Sequence, residues 1–101
     1  MALRALIVQT DIRTARTLAR LVKNRDTEVW EAWQLGQAQV LLQQVKPDVL
    51  FLDLHFPGDE WQPFIRSVHQ SNPDISIIMT NKYPDLKREM IAKELGATTF
   101  L

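Results

Sequence analysis

The chain of 101 residues contains no cysteine and only three glycines. The absence of thiols excludes disulfides and cysteine-ligated metal sites, and it suits a reducing compartment such as the cytoplasm. Twelve basic and twelve acidic residues cancel, so no broad electrostatic field favours nucleic acid or an anionic membrane. The apolar runs are too short for a membrane span or a secretory signal. We therefore expect one cytoplasmic domain over residues 1–101 with no direct contact with nucleic acid or membrane.

The chain repeats one unit, a short apolar run followed by a helical pattern. Strands are predicted to begin near residues 4, 27, 48, 75 and 98. Between them, the first three helices carry apolar residues at the i, i+3, i+4, i+7 spacing of one helical face. These residues are Ala15, Leu18, Ala19 and Val22, then Ala38, Leu41, Leu42 and Val45, then Trp61, Phe64, Ile65 and Val68.

Candidate helix ends can also be assigned from the sequence. Asp11 or Thr14 is predicted to cap the start of the first helix. Pro84 is predicted to open the fourth helix, and Gly96 to cap its C-terminus. The inward face of the fourth helix is expected to carry Leu86, Met90, Ile91 and Leu95.

Alternation of strands and helices predicts right-handed crossovers and a parallel sheet. The expected class is α/β, a doubly wound five-stranded sheet in the flavodoxin-like order 2-1-3-4-5. The second strand, residues 27–33, carries charges on both faces, which favours an edge position. A fifth helix that would cover one sheet face is not predicted within the chain. The chain is then a fragment, a truncated variant, or a protomer that covers this face with a partner, for instance in a homodimer.

The third predicted strand ends at a carboxylate. Residues 49–52 form a continuous apolar run, as expected of a strand buried on both faces, and Asp53 follows directly. In open parallel sheets, reactive groups lie beyond the carboxyl ends of the strands. Asp53 is therefore the predicted functional residue.

Two motifs carry a family resemblance. Residues 47–57, Pro-Asp-Val-Leu-Phe-Leu-Asp-Leu-His-Phe-Pro, resemble the third strand of response regulator receiver domains, which ends in Asp-Leu-x-Met-Pro. Residues 96–101, Gly-Ala-Thr-Thr-Phe-Leu, resemble the family's Gly-Ala-x-x-Tyr/Phe-Leu. The resemblance covers the whole chain. It implies a receiver fold lacking its fifth helix, a role in two-component signalling and not in enzymatic catalysis, and Asp53 as acceptor of a phosphoryl group from a histidine kinase or phosphotransfer protein.

The end of the first strand departs from the family. The family's acidic pair, which serves a Mg²⁺ ion, corresponds here to Gln9 and Thr10. Because Mg²⁺ prefers carboxylate and other oxygen ligands, we predict a weakened or lost Mg²⁺ site. Asp53 remains as a metal ligand, and Asp11 is the candidate substitute for the missing pair. An alternative interpretation is that Gln9 and Thr10 hydrogen-bond backbone groups at the strand end.

The resemblance also implies which residues would respond to phosphorylation of Asp53, here called the switch residues. The Ser/Thr at the end of the family's fourth strand corresponds to Asn81, with Thr80 one residue before it, and Phe100 corresponds to the aromatic whose rotamer follows phosphorylation. Alternatively, the polar pair caps the strand end and Phe100 packs in the core. The family's lysine would lie two residues past Leu101. Lys82 could reach the site in its place, although the alternative is that this lysine in a strand-to-helix loop is simply solvated.

Two function classes remain open. The first is a receiver phosphorylated on Asp53 that changes the surface of its fourth helix. The second is a pseudo-receiver, a binding module independent of phosphorylation. A flavin-binding domain is disfavoured because the loop over residues 9–13 is polar and bulky. We predict an atypical receiver that acts mainly through protein contacts, with an output domain or partner meeting the basic face of helix four and strand five.

Overall fold

Strands and helices alternate along the computed structural model, which describes residues 3–101. The strands are β1 (Leu3–Val8), β2 (Thr27–Ala32), β3 (Val49–Asp53), β4 (Ser76–Thr80) and β5 (Thr99–Phe100). The helices are α1 (Ile12–Val22), α2 (Leu35–Val45), α3 (Trp61–Ser71) and α4 (Leu86–Leu95). Each strand starts within one residue of its predicted position. Over residues 3–101, no helix has the length and apolar character needed to cross a membrane.

The sheet has the predicted topology. All neighbouring strands are parallel, and their order is β2-β1-β3-β4-β5. The doubly wound flavodoxin-like fold is confirmed, as is the edge position of β2. The strand order reverses between β1 and β3, so the loops that follow these two strands diverge and leave a crevice between them. The β3–β4 register pairs Asp53 with Thr80, which places both side chains on one face of the sheet.

Two apolar cores lie on opposite faces of β3, which is buried along its whole length. Leu50 and Leu52 join the larger core under α2, α3 and α4. Val49 and Phe51 join a smaller core under α1. The predicted inward faces of α1 and α3 are confirmed. In α2, Ala38, Leu41 and Leu42 pack inward as predicted, Leu35 joins them, and the predicted Val45 is not part of the core cluster.

The inward face of α4 differs from the prediction. The helix begins at Leu86 after Asp85, its N-cap, and not at Pro84. Leu86 is 73% exposed and Met90 is 58% exposed, so the prediction that they turn inward was wrong. The face toward the protein interior is instead a different i, i+3, i+4, i+7 set, namely Arg88, Ile91, Ala92 and Leu95.

The physical reason for this rotation is a polar requirement. The side chain of Arg88 donates hydrogen bonds to two main-chain carbonyls of the loop after β3. Buried carbonyls without a partner are costly, so the face that carries the arginine turns inward. The C-terminal cap is as predicted, because Gly96 has a φ of 122° and its N–H bonds to carbonyls of the last turn.

Candidate functional site

All of the predicted site residues except Phe100 meet in a cavity of about 490 Å³ at the carboxyl edge of the sheet. Asp53, only 8% exposed, lies at its base. The residues that line the cavity from the ends of the neighbouring strands include Gln9, Thr10, Asp11, Thr80, Asn81 and Lys82. Parallel strands bring these side chains together because their carboxyl ends share one edge.

Both oxygens of the Asp53 carboxylate accept hydrogen bonds from the protein. The Thr10 hydroxyl donates to Oδ2 at 2.6 Å, and the Thr10 N–H donates to the same oxygen at 3.2 Å. The His55 N–H donates to Oδ1 at 2.8 Å. Hydrogen bonds to a charged acceptor are among the strongest in proteins. They offset the desolvation of this buried carboxylate.

Gln9, which is 1% exposed, does not point at the carboxylate. Its Nε2 lies 2.9 Å from the Thr80 hydroxyl oxygen, and that hydroxyl lies 3.1 Å from the Gln9 Oε1. The interpretation that Gln9 and Thr10 bond backbone groups at the strand end was wrong in detail, because their side chains bond other side chains.

Asp11 caps α1, as predicted for this position. Its Oδ1 accepts from the Arg13 N–H at 3.1 Å and its Oδ2 accepts from the Thr14 hydroxyl at 3.1 Å. These two bonds, with a smaller contribution from the charge of Lys82, hold the pKa of the Asp11 carboxyl below its usual value. The Asp11 carboxylate therefore caps the N-terminus of α1.

The donor set suits Mg²⁺ poorly. This ion requires octahedral oxygen coordination, usually with one or two carboxylates. Within residues 3–101, no group of three or more His, Cys, Asp or Glu side chains is arranged to hold a metal ion. Asp53 is bonded to Thr10 and His55, and Asp11 is bonded within α1. The residues present do not form a site fitted to Mg²⁺.

The proposed switch residues occupy different surroundings. Thr80 is held by Gln9, as described above. The Asn81 Oδ1 lies 2.9 Å from the His55 Nε2, which is also 3.0 Å from the Tyr83 carbonyl. Asn81 thus belongs to a link between the loops that follow β3 and β4.

The two remaining predicted residues, Lys82 and Phe100, contact other parts of the protein. The Lys82 Nζ is 5.9 Å from the centre of the Tyr83 ring, and Lys82 and Tyr83 both line the cavity. Phe100 packs, partly buried, against the larger core and outside the cavity lining. The core-packing alternative describes its surroundings in this structure.

Sequence reasoning missed two residues at this edge, His55 and Arg88. Arg88 Nη1 donates to the carbonyls of Leu54 at 3.0 Å and Phe56 at 2.9 Å. The sequence could have indicated that Arg88 faces inward, because the apolar residues Ile91, Ala92 and Leu95 follow it at the i+3, i+4 and i+7 spacing of one helical face. No local pattern identifies the role of the His55 side chain, since its partners lie more than twenty residues away along the chain.

A five-stranded parallel sheet with a hydrogen-bonded aspartate at the end of its central strand defines a flavodoxin-like α/β domain with an acidic site at its edge. Residues 5–101 match the response regulator receiver domain family, and the chain belongs to that family. Receiver domains are two-component signalling modules that interact with histidine kinases or phosphotransfer proteins and with output domains. No curated protein sequence matches the chain.

Solved structures agree with this assignment. A CheY-like receiver domain protein from Methanospirillum hungatei JF-1 is 20% identical with a TM-score of 0.89, covering 100% of this chain and 81% of that one. CheY4 of Vibrio cholerae is 20% identical with a TM-score of 0.87, and the match covers 100% of this chain and 86% of that one. A response regulator from Burkholderia pseudomallei is 25% identical with a TM-score of 0.87, and the match covers 98% of this chain and 58% of that one. Its structure was solved with a phosphorylated aspartic acid, calcium ion and citrate.

Proposed function

We propose that this chain is an atypical receiver, with Asp53 at the phosphoacceptor position, that signals mainly through protein contacts. In this proposal, hydrogen bonds from the protein hold the Asp53 carboxylate in place of a metal ion. The observation that supports it most directly is the 2.6 Å bond from the Thr10 hydroxyl to Asp53 Oδ2. Position 10 is also where the sequence departs from the family's acidic pair.

The chemistry of position 10 explains why this bond matters. A carboxylate there would repel Asp53, and the two together would attract a cation. The hydroxyl of Thr10 instead donates to Asp53 and leaves no second negative charge. To attack a phosphoryl group, Asp53 would have to use a carboxylate lone pair that its hydrogen bonds leave unoccupied. No carboxylate at position 10 would help to hold a metal ion there, and Lys82, which lines the same cavity, is the cation that the protein itself brings to the site.

The outer face of α4 supports the contact part of the proposal. Three large apolar side chains are exposed at or just before this helix: Tyr83 at 64%, Leu86 at 73% and Met90 at 58%. Exposed cationic side chains of Lys87 and Lys93 flank them. An apolar patch with a charged rim is typical of a surface that binds another protein. We assign this face to an output domain or partner protein.

Phosphorylation of Asp53 is the second candidate function. The cavity above the carboxylate favours it, because about 490 Å³ is ample for a phosphoryl group and polar side chains of Thr80 and Asn81 line it. Phosphate would come from a histidine kinase or phosphotransfer protein. The two candidates differ in whether Asp53 gains phosphate without a change at position 10.

The test is intact mass spectrometry after incubation with acetyl phosphate and Mg²⁺. We expect no phosphate-sized gain for the wild type, and a gain for Thr10→Asp that is lost in Thr10→Asp/Asp53→Asn. Thr17→Asp, which adds the same charge to an exposed position of α1, should show no gain. A gain in the wild-type protein that Asp53→Asn removes would establish the second candidate and overturn the first.

A further inference from the structure

We propose that Arg88 is a positioning residue that couples Asp53 to α4 through one peptide unit, the one between Leu54 and His55. The proposal rests on Asp53 being the signalling carboxylate of this receiver. It names the contact by which a change at Asp53 reaches the exposed face of α4.

The peptide unit has a charged partner at each end. Its N–H, from His55, donates to Asp53 Oδ1 at 2.8 Å. Its C=O, from Leu54, accepts from Arg88 Nη1 at 3.0 Å. The carboxylate and the guanidinium therefore polarise the same amide in the same direction, and each bond strengthens the other.

The other contacts of Arg88 fix it in this position. Nη1 also donates to the Phe56 carbonyl at 2.9 Å, and Nε lies 3.6 Å from the Asp85 carboxylate. The guanidinium carbon lies 5.6 Å from the centre of the Trp61 ring at the start of α3. One side chain thus joins the loop after Asp53 to the first turns of α3 and α4.

A tilt of the peptide unit would carry a change at Asp53 to Arg88, because the planar unit moves its N–H and its C=O together. Rotation about its C–N bond is opposed by a barrier of about 18–20 kcal/mol. If the acceptor of the His55 N–H moves or loses its charge, the whole unit tilts and the Leu54 carbonyl moves with it. Arg88 then shifts or loses this bond. Only Ala92 of α4 is fully buried, so the first turns of the helix are held mainly by the polar contacts of Arg88 and Asp85 and by the partly buried Ile91.

The test compares amide NMR spectra and hydrogen exchange of the 101-residue chain with and without Asp53→Ala, in the wild-type and Arg88→Met backgrounds. In both backgrounds we expect the His55 amide to exchange about tenfold faster after Asp53→Ala, as for the loss of a bond to a charged group. In the wild type the amide resonances of residues 86–92 should shift as well. In Arg88→Met this response of α4 should be lost.

Matched variants separate coupling from folding and from general charge effects. Lys87→Met removes a neighbouring exposed cation of α4 and should leave the response intact. If Asp53→Ala or Arg88→Met does not fold, Asp53→Asn and Arg88→Gln replace them in the same comparison. The proposal is overturned if α4 responds fully without Arg88, if Lys87→Met also abolishes the response, or if α4 of the wild type does not respond. None of these outcomes involves phosphorylation, so the acetyl phosphate experiment remains an independent test of the proposed function.

Discussion

Helices α3 and α4 cover the same core but are attached to it in different ways. α3 buries four large or β-branched side chains, Trp61, Phe64, Ile65 and Val68. α4 fully buries only Ala92 and uses Arg88 to reach the loop after Asp53. Apolar burial is non-directional, whereas hydrogen bonds weaken steeply when their geometry changes. α3 is therefore a fixed support, and α4 is the helix that can follow a change at the site.

The starts of the two helices show the same contrast. Glu60, at the N-cap of α3, makes no capping bond with its side chain. Asp85, at the N-cap of α4, accepts from the Arg88 N–H at 3.1 Å. α3 does not depend on a cap because its first residue, Trp61, is almost fully buried. The first turn of α4 depends on polar contacts, which a rearranged loop can break.

The strongest test of the fixed helix is Phe64→Ala. Phe64 is 3% exposed, and its truncation should lower the free energy of unfolding by about 3–5 kcal/mol through lost burial and a cavity. Urea denaturation followed by circular dichroism measures this change. Arg66→Ala, at an exposed position of α3, should change stability by less than about 0.5 kcal/mol. Equal effects of the two substitutions would show that α3 is not held by its apolar face.

A second, smaller effect is expected where the end of α4 meets α3. At Gly96 the φ of 122° disfavours any other residue, and an added Cβ would lie 2.9 Å from the His69 Cγ. Gly96→Ala should therefore cost about 1–3 kcal/mol of stability from backbone strain, plus any displacement of the His69 ring.

The matched control is Gly36→Ala in α2, where an added Cβ meets no atom within 4 Å. There the substitution should stabilise the protein by about 0.5–1 kcal/mol. If both alanines stabilised the protein in urea denaturation, the close approach of α4 to His69 would be refuted.

The sheet was predictable because its determinants are local and repeated. Each strand is a short apolar run and each helix has its own periodicity, so element order and the edge position of β2 followed from the sequence. The position of Asp53 followed from the end of β3. The face of α4 did not, because two overlapping sets of residues, one with Leu86 and one with Arg88, both fit helical spacing. The choice between them depends on carbonyls at Leu54 and Phe56, more than thirty residues earlier.

Several residues that line the cavity were predicted from the sequence, whereas Phe100 lies outside it, His55 was missed, and none of the bonds to Asp53 was predicted. Residue types alone indicated that Gln9 and Thr10 lack the carboxylates that a Mg²⁺ ion needs. The bond from Thr10 to Asp53 depends on the adjacency of β1 and β3 and on side-chain rotamers, and periodicity contains no information about rotamers. The contact between His55 and Asn81 likewise joins loops that are distant in sequence. Long-range polar contacts are what the structure adds.

The smallest expected effect tests the rotation of α4 itself. Met90 is 58% exposed, whereas its neighbour Ile91 is partly buried against the larger core. Met90→Lys should change the free energy of unfolding by less than about 0.5 kcal/mol, as is usual for surface positions.

Ile91→Lys should cost about 2 kcal/mol or more, because it removes apolar packing and brings an ammonium group toward the core. Both values come from urea denaturation of the single variants. If Met90→Lys were the more costly of the two, α4 would present the face predicted from the sequence and Arg88 would point away from the loop. The coupling of Asp53 to α4 would then have no structural basis, so the order of these two effects tests the contrast between the two helices directly.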